Sequence, residues 1–392
     1  MRQVGTSVPA RVDIGCLNLY RALPQKPPSY PEVVMFESLA QPLRRALIPV
    51  FAIAAAVVSS CGPDDREPTG PGPEPNLAAQ GSPPGLAKAL DAQARHTDRL
   101  LRVNGVVGTA VGLGSKGEAQ VQLFTKAAGV RGLPSSLDGV PVSVLVTGEI
   151  RAQPALAERR AATAAAVNRT ARFTRPVPIG ISTGNQGECS AGTIGARVKS
   201  GTTTYALSNN HVYALENSAA IGSNVFQPGR YDLNCASGSN ALLGNLNKFV
   251  RISFSTTASN KVDAAIATAT TANLGRSTPS DGYGTPRAAT VAAALNQVVM
   301  KYGRTTGQTT GTVVGLNATV NVGYSHGTAR FVGQIVIRGK GKFSNSGDSG
   351  SLIVDGSRRP VGLLFAGSSS GYTFANQIGQ VLSALGVSVD GS

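Results

Sequence analysis

The sequence predicts a mainly β protein with a small α+β unit ahead of its β-rich part. From residue 176 onward, short runs of Val, Ile and Thr alternate with Gly, Asn and Ser, the pattern of short strands joined by tight turns. The 392 residues include 47 Gly, 5% aromatics and no Trp, a texture that favours strands and turns over long helices. Apolar residues make up 41% of the chain, enough for a globular core, and the span 176–392 suits a sandwich or a pair of barrels.

Residues 1–61 read as a targeting segment. Arg44 and Arg45 precede an apolar run over 46–58, broken only by Pro49, and Val58-Ser59-Ser60-Cys61-Gly62 follows. A basic region, a short apolar stretch and small residues at the cut describe a secretory signal. The run is too short to span a bilayer comfortably. Cys61 resembles the lipidated cysteine of a bacterial lipobox; ordinary cleavage nearby, with Cys61 incidental, is the alternative. Met35 lies just upstream, so 1–34 is a candidate misassigned start. Residues 62–85 are a Pro/Gly-rich tether with too little apolar surface to fold.

Residues 86–150 predict the α+β unit, a candidate propeptide or regulatory domain. Leu86, Leu90, Ala94 and Leu101 share one side of a helix over 86–103. Strands over 106–113 and 118–124 form a hairpin around Ser115-Lys116-Gly117, and 141–147 is a third strand. Gly112 and Gly114 lead into that turn and not into a helix, so they are not a phosphate loop. Residues 151–175, rich in Ala and Arg, predict a helical linker, with a processing site as the alternative.

Within 176–392, strands are expected over 192–198, 204–208, 297–302, 311–315, 335–337, 351–354 and 360–365, with a closing helix over 378–385. Three runs in this region carry chemistry. They are Leu207-Ser208-Asn209-Asn210-His211-Val212, Val262-Asp263-Ala264-Ala265-Ile266 and Gly347-Asp348-Ser349-Gly350-Ser351. They offer a base, a carboxylate and a nucleophile, 52 and 86 residues apart. A serine hydroxyl attacks only when an imidazole takes its proton, and that imidazole is held in one tautomer by a buried carboxylate. Asp263 opens an Ala/Ile run, where a carboxylate needs a partner. Asp232, nearer His211 in sequence, is the alternative carboxylate. Glycines around Ser349 permit a tight turn, and the N–H groups of Gly347 and Ser349 are candidate oxyanion donors. His96 and His326 lack matching contexts and are expected at the surface. Asp348 is expected to stabilise the turn.

Cys189 and Cys235 bracket His211. In an exported chain such an even pair is expected to form a disulfide, with two buried thiols as the alternative. No ligand cluster accompanies them, so no metal site and no cofactor are expected.

The three runs resemble those of trypsin-like, chymotrypsin-fold serine peptidases of the exported bacterial type. Gly347-Asp348-Ser349-Gly350 is similar to the nucleophile motif, His211-Val212 to the histidine motif and Asp263-Ala264-Ala265-Ile266 to the aspartate motif. The resemblance covers roughly 176–390. It implies two six-stranded antiparallel β-barrels with the site in the cleft between them. It also implies His211 as general base, Asp263 as its orienting carboxylate and Ser349 as nucleophile. Asn209-Asn210 stands where the family has Ala-Ala, and no Ile-Val-Gly-Gly start is evident. The same resemblance puts Phe343 at the primary specificity position and Phe365-Ala366-Gly367 on the pocket wall. An esterase using the same three residues, or a non-catalytic binding module, is the alternative.

The formal net charge of +15 speaks to solubility and encounter, not to fold. Neither aromatic-interleaved basic patches nor zinc-finger spacing accompanies it, so nucleic acid is not an expected partner. The expected partners are protein or peptide substrates, and a membrane through lipid on Cys61. The expected location is the bacterial cell envelope or the exterior.

Overall fold

A computed structural model describes residues 83–152, 167–236 and 241–392. The signal segment, Cys61, most of the tether and the middle of the 151–175 linker lie outside these described residues. Helix α1 (Leu86–Leu100) starts after Gly85, which takes φ 77°. Leu86, Ala89, Ala92, Gln93, Thr97 and Leu100 are buried at the three- and four-residue spacing of one helical face. The helix packs on a hairpin of β1 (Val106–Leu113) and β2 (Ala119–Thr125), paired from Val106↔Thr125 to Leu113↔Ala119. Strands β3 (Ser136–Leu137) and β4 (Val140–Val146) follow, β4 parallel to β2. Arg151 and Ala152 do not start a helix; with Ile150 they form β5 (Ile150–Ala152). Its pairing partners, named below, override the local helical composition.

The first part of the β-rich region comprises β6 (Ser182–Asn185), β7 (Gly192–Thr193), β8 (Ala196–Ser200), β9 (Thr203–Ser208), the short helix α2 (Asn210–Tyr213), β10 (Asn224–Phe226), β11 (Leu242–Phe249) and β12 (Ala265–Thr268). The second comprises β13 (Val298–Gly303), β14 (Gly307–Tyr324), β15 (Gly327–Gly339), β16 (Leu352–Asp355), β17 (Pro360–Ser368) and β18 (Tyr372–Gln377). Helix α3 (Ile378–Leu385) and β19 (Ser388–Val389) end the chain. In the first sheet the order is β19-β8-β9-β12-β11-β10-β6-β7, an eight-stranded partial barrel. In the second, β13-β16-β17-β18-β15-β14 returns to β13 through a β13–β14 pairing, so these strands close on themselves. The fold is therefore mainly β with two barrel-like sheets, as the sequence leads one to expect. Residues of both sheets meet in one apolar cluster, where Leu207 and Ile266 pack with Leu352, Val354 and Leu363 under α3.

The α+β unit shares a sheet with the second barrel. β1 pairs antiparallel with β14 (Gly108↔Val320, Thr109↔Thr319, Val111↔Leu316), so one sheet of eleven strands runs through both. β1 is buried along almost its whole length, without the alternation of a half-exposed strand. Its small residues allow the approach: a Cβ at Gly108 would lie 2.7 Å from Val320 Cγ1. From α1, Gln93 Nε2 donates to the Asn317 carbonyl on β14 at 2.8 Å.

Candidate active site

β9 ends at Ser208, and the polar Ser-Asn-Asn step that follows is fully buried. Burial demands partners for these side chains, and all of their polar atoms but Asn209 Oδ1 find one. Ser208 Oγ donates to the Thr193 carbonyl at 2.8 Å. Asn209 Nδ2 donates to the Asp263 carbonyl at 2.7 Å. Asn210 Nδ2 donates to the Val250 carbonyl at 2.7 Å and to Asn217 Oδ1 at 2.8 Å. These bonds fix α2, and with it His211, against the loop that bears Asp263.

His211 Nδ1 lies 2.6 Å from Asp263 Oδ2, and both side chains are almost completely buried. The His211 backbone N–H donates to Asp263 Oδ1 at 3.2 Å. A bond from Nδ1–H to a carboxylate fixes the tautomer whose Nε2 carries a lone pair. Nε2 is itself buried and makes no hydrogen bond. Asp263 is also held from behind, where its N–H donates to Asn376 Oδ1 on β18 at 2.9 Å. Asp232 lies elsewhere: it receives Ser182 Oγ at 2.5 Å and pairs with the Arg304 guanidinium.

Tyr324, at the end of β14, also reaches the pair: its hydroxyl donates to Asp263 Oδ2 at 2.9 Å. Burial, and then the Asp263 carboxylate, push the phenol well above its usual range, so it remains a donor. Nothing in the local sequence marks this residue.

Ser349 sits in the turn between β15 and β16, with Gly347 at φ 93° and Gly350 at φ 91°, conformations that favour glycine. The turn is tied to the first sheet through Thr193. The Thr193 N–H donates to the Ser349 carbonyl at 2.8 Å, and its hydroxyl donates to the Gly347 carbonyl at 2.8 Å. The proposed oxyanion donors, the N–H groups of Gly347 and Ser349, belong to this turn. Asp348 holds it from inside. Its carboxylate accepts from the N–H groups of Asn345 (3.0 Å), Thr305 (2.8 Å) and Thr306 (3.2 Å) and from Thr306 Oγ1 (2.7 Å). Lys301 Nζ is 3.7 Å from Asp348 Oδ2 and donates to Thr306 Oγ1 and to the Gly307 carbonyl. Burial pushes Lys301 down to about 8, with Asp348 pulling the other way. An internal lysine thus faces Asp348.

A cleft of about 990 Å³ opens beside His211. Leu215, Glu216, Tyr324 and His326 line it together with Ser344, Asn345, Ser346, Gly367 and Ser368. Ser349 is buried and is not among the lining residues. Of the expected pocket residues, Gly367 lines the cleft. Phe343 is buried among Val313, Ile337 and Leu364, and Phe365 packs on Phe331 with ring centroids 4.8 Å apart. The aromatic rings at these two positions belong to the core. His326 is exposed as expected, yet it lines the cleft and bonds Glu216 Oε2 at 2.6 Å. His96 lies far along the chain on α1, 2.9 Å from Asp138.

β5 completes the cleft. It runs antiparallel to β17 (Ala366↔Ala152, Gly367↔Arg151, Ser368↔Ile150) and parallel to β14 (Val322↔Ile150, Gly323↔Arg151). Arg151 and Ala152 line the same cleft as His211. Cys189 and Cys235 are joined by a disulfide. Among the described residues, no group of three or more His, Cys, Asp and Glu could hold a metal ion, and no helix is long and apolar enough to cross a membrane.

No family model and no curated protein matches this chain. Several solved structures do. Protease A of Thermobifida fusca is 21% identical, with a TM-score of 0.40 over 55% of this chain and 100% of that one. A glutamic acid-specific serine protease that uses a histidine triad in substrate binding is 23% identical, with a TM-score of 0.40 over 54% of this chain and 100% of that one. A chymotrypsin of Cellulomonas bogoriensis is 22% identical, with a TM-score of 0.38 over 55% of this chain and 99% of that one.

Proposed function

We propose that this chain is a serine endopeptidase, with Ser349 as nucleophile, His211 as general base and Asp263 as the carboxylate that orients it. The observation that carries this reading is the buried 2.6 Å contact between His211 Nδ1 and Asp263, which leaves the Nε2 lone pair for a proton. In the first step Nε2 takes the Ser349 hydroxyl proton while Oγ bonds the substrate carbonyl carbon. Donors on the 347–349 turn, Gly347 and Ser349 N–H, receive the oxyanion. The C–N bond then breaks and the amine leaves with the proton from His211. Water repeats the sequence on the acyl-enzyme and releases the acid.

A peptide substrate is favoured over a simple ester by β5. A segment of the chain's own backbone lies extended and antiparallel on the edge of β17, inside the cleft. An edge that accepts one strand offers main-chain bonds to another. Residues 86–150, with β5 at their end, therefore act as a regulatory or propeptide-like segment that covers the substrate edge. The Cys189–Cys235 disulfide supports an oxidising, exported setting. Lipid on Cys61 supplies the membrane partner in this reading, and mass spectrometry of the mature N-terminus tests it.

The decisive experiment is fluorophosphonate labelling. The expected result is one label on Ser349, lost together with peptide hydrolysis in Ser349→Ala. A label that survives Ser349→Ala overturns the assignment.

A further inference from the structure

Asp263 Oδ2 receives two donors, His211 Nδ1 at 2.6 Å and the Tyr324 hydroxyl at 2.9 Å. Tyr324 comes from neither of the segments that carry His211 and Asp263; it ends β14, at the tip of the long β14–β15 hairpin. Its ring is wedged edge-on to His211 (6.0 Å) and Phe254 (5.6 Å) and stacked on Phe331 (6.1 Å).

Two devices hold that tip in place. Glu216, in the loop after α2, accepts from the N–H groups of Ser325 (3.0 Å) and His326 (2.9 Å) and from Ser325 Oγ (2.8 Å), and bonds His326 Nδ1 (2.6 Å). To present this carboxylate, Leu215, Glu216 and Asn217 take φ of 49°, 55° and 77° in succession. Three consecutive non-glycine residues in the left-handed region store strain, which persists only where the surroundings over-determine it. Asn217 supplies that restraint, with bonds to Asn210 and to the Ile252 backbone. The second device is β5, which pairs with Val322 and Gly323 directly before Tyr324.

We propose that Tyr324 is a positioning residue for the His211–Asp263 pair, delivered to Asp263 by the hairpin tip that Glu216 and β5 clamp. A donor on the same oxygen that receives Nδ1–H fixes the carboxylate's rotation. It also draws off part of the negative charge that this oxygen presents to the imidazole. This role rests on the proposed triad, but its signature is a property of the imidazole and is readable without turnover. The other charged groups sharing the cleft with His211 are Glu188, Glu216 and His326, and Lys126, Glu149, Arg151 and Lys342.

The chain has only three histidines, so 15N-histidine labelling of the full-length protein gives a small set of imidazole signals, assigned through His96→Gln and His326→Gln. In Tyr324→Phe the low-field Nδ1–H signal of His211 is expected to be displaced, because its acceptor oxygen loses a second donor, while the ring signals of His96 stay in place. Glu216→Gln, which frees the tip and leaves the Tyr324 ring intact, is expected to shift His211 in the same direction by less. An unchanged His211 Nδ1–H signal in Tyr324→Phe overturns the proposal, as does a displacement in Glu216→Gln of opposite sign. Labelling of Ser349 in the wild-type chain reads the peptidase assignment separately. A chain that never labels but shows the His211 shift loses the peptidase reading and keeps the Tyr324–Asp263 coupling.

Discussion

Thr193 binds the Ser349 turn by both its backbone and its side chain. Its N–H donates to the Ser349 carbonyl at 2.8 Å, and its hydroxyl donates to the Gly347 carbonyl at 2.8 Å while accepting the Arg304 N–H at 3.0 Å. Its own carbonyl receives Ser208 Oγ, on the strand that leads to His211. One residue of a two-residue strand thus sets the Ser349 turn against the strand that leads to His211. Thr193→Val keeps the shape and the backbone bond but strands a buried carbonyl and a buried N–H. A loss of about 1–3 kcal/mol in urea unfolding is expected, with slower fluorophosphonate labelling of Ser349. Unchanged stability and labelling would remove Thr193 from this role.

Lys301 tests how the turn is held from the inside. It is fully buried, 3.7 Å from Asp348, which in turn receives four donors from Asn345, Thr305 and Thr306. Removing one partner of a buried pair leaves the other charge uncompensated, at a cost of about 3 kcal/mol or more. Lys301→Met is therefore expected to lower the urea midpoint. Asp348 keeps its N–H donors, so the turn is expected to persist and Ser349 to remain labelled, at a reduced rate. A Lys301→Met chain as stable as the wild type would show that the lysine adds nothing to the turn.

Much of the site is legible in the sequence because its segments carry local chemistry. Asp263 at the head of an Ala/Ile run announces a buried carboxylate in need of a partner, and the structure supplies His211. Asp232 is nearer in sequence, but Arg304, 72 residues away, claims it. Tyr324 is not legible, because its role depends on where the tip of an 18-residue strand lands and no local pattern encodes that. The sharing of one sheet by β1 and β14 is hidden for the same reason. Val106–Leu113 reads as a hairpin arm, and only the partner at 316–320 reveals why Gly108 and Ala110 are small. Phe343 is a different case. A position inherited from a resemblance says nothing of the neighbours, and Lys301 and the β14–β15 core draw that ring inward.

β5 offers a gain-of-activity test. Ile150 is 2% exposed and packs among Phe331, Phe365 and Phe374, and this burial anchors the segment on the β17 edge. A carboxylate in that pocket has no partner, so Ile150→Asp is expected to release β5 and not to remain buried. Peptide cleavage is expected to rise on the order of tenfold or more, since each 1.4 kcal/mol of lost docking is a factor of ten in the open population. A peptide rate no higher than wild type, with Ser349 still labelled, would mean that β5 does not cover the substrate edge.

Acid should loosen the hairpin tip before it unfolds the chain. Burial pushes Glu216 upward, but the donors from Ser325 and His326 outweigh it and hold the carboxyl below its ordinary 4.5. A carboxyl depressed in the folded state binds fewer protons there than in the unfolded chain. Its stabilising contribution is complete above about 4.5 and is lost as pH falls through the lower folded value. Amide exchange at Ser325 and His326, whose N–H groups Glu216 holds, is expected to accelerate below pH about 4.5, beyond the intrinsic pH dependence of exchange. In Glu216→Gln that acid-dependent step should vanish, because the amide has no proton to gain. If the step persists in Glu216→Gln, another group controls the tip, and the delivery of Tyr324 to Asp263 would have to be sought in β5 alone.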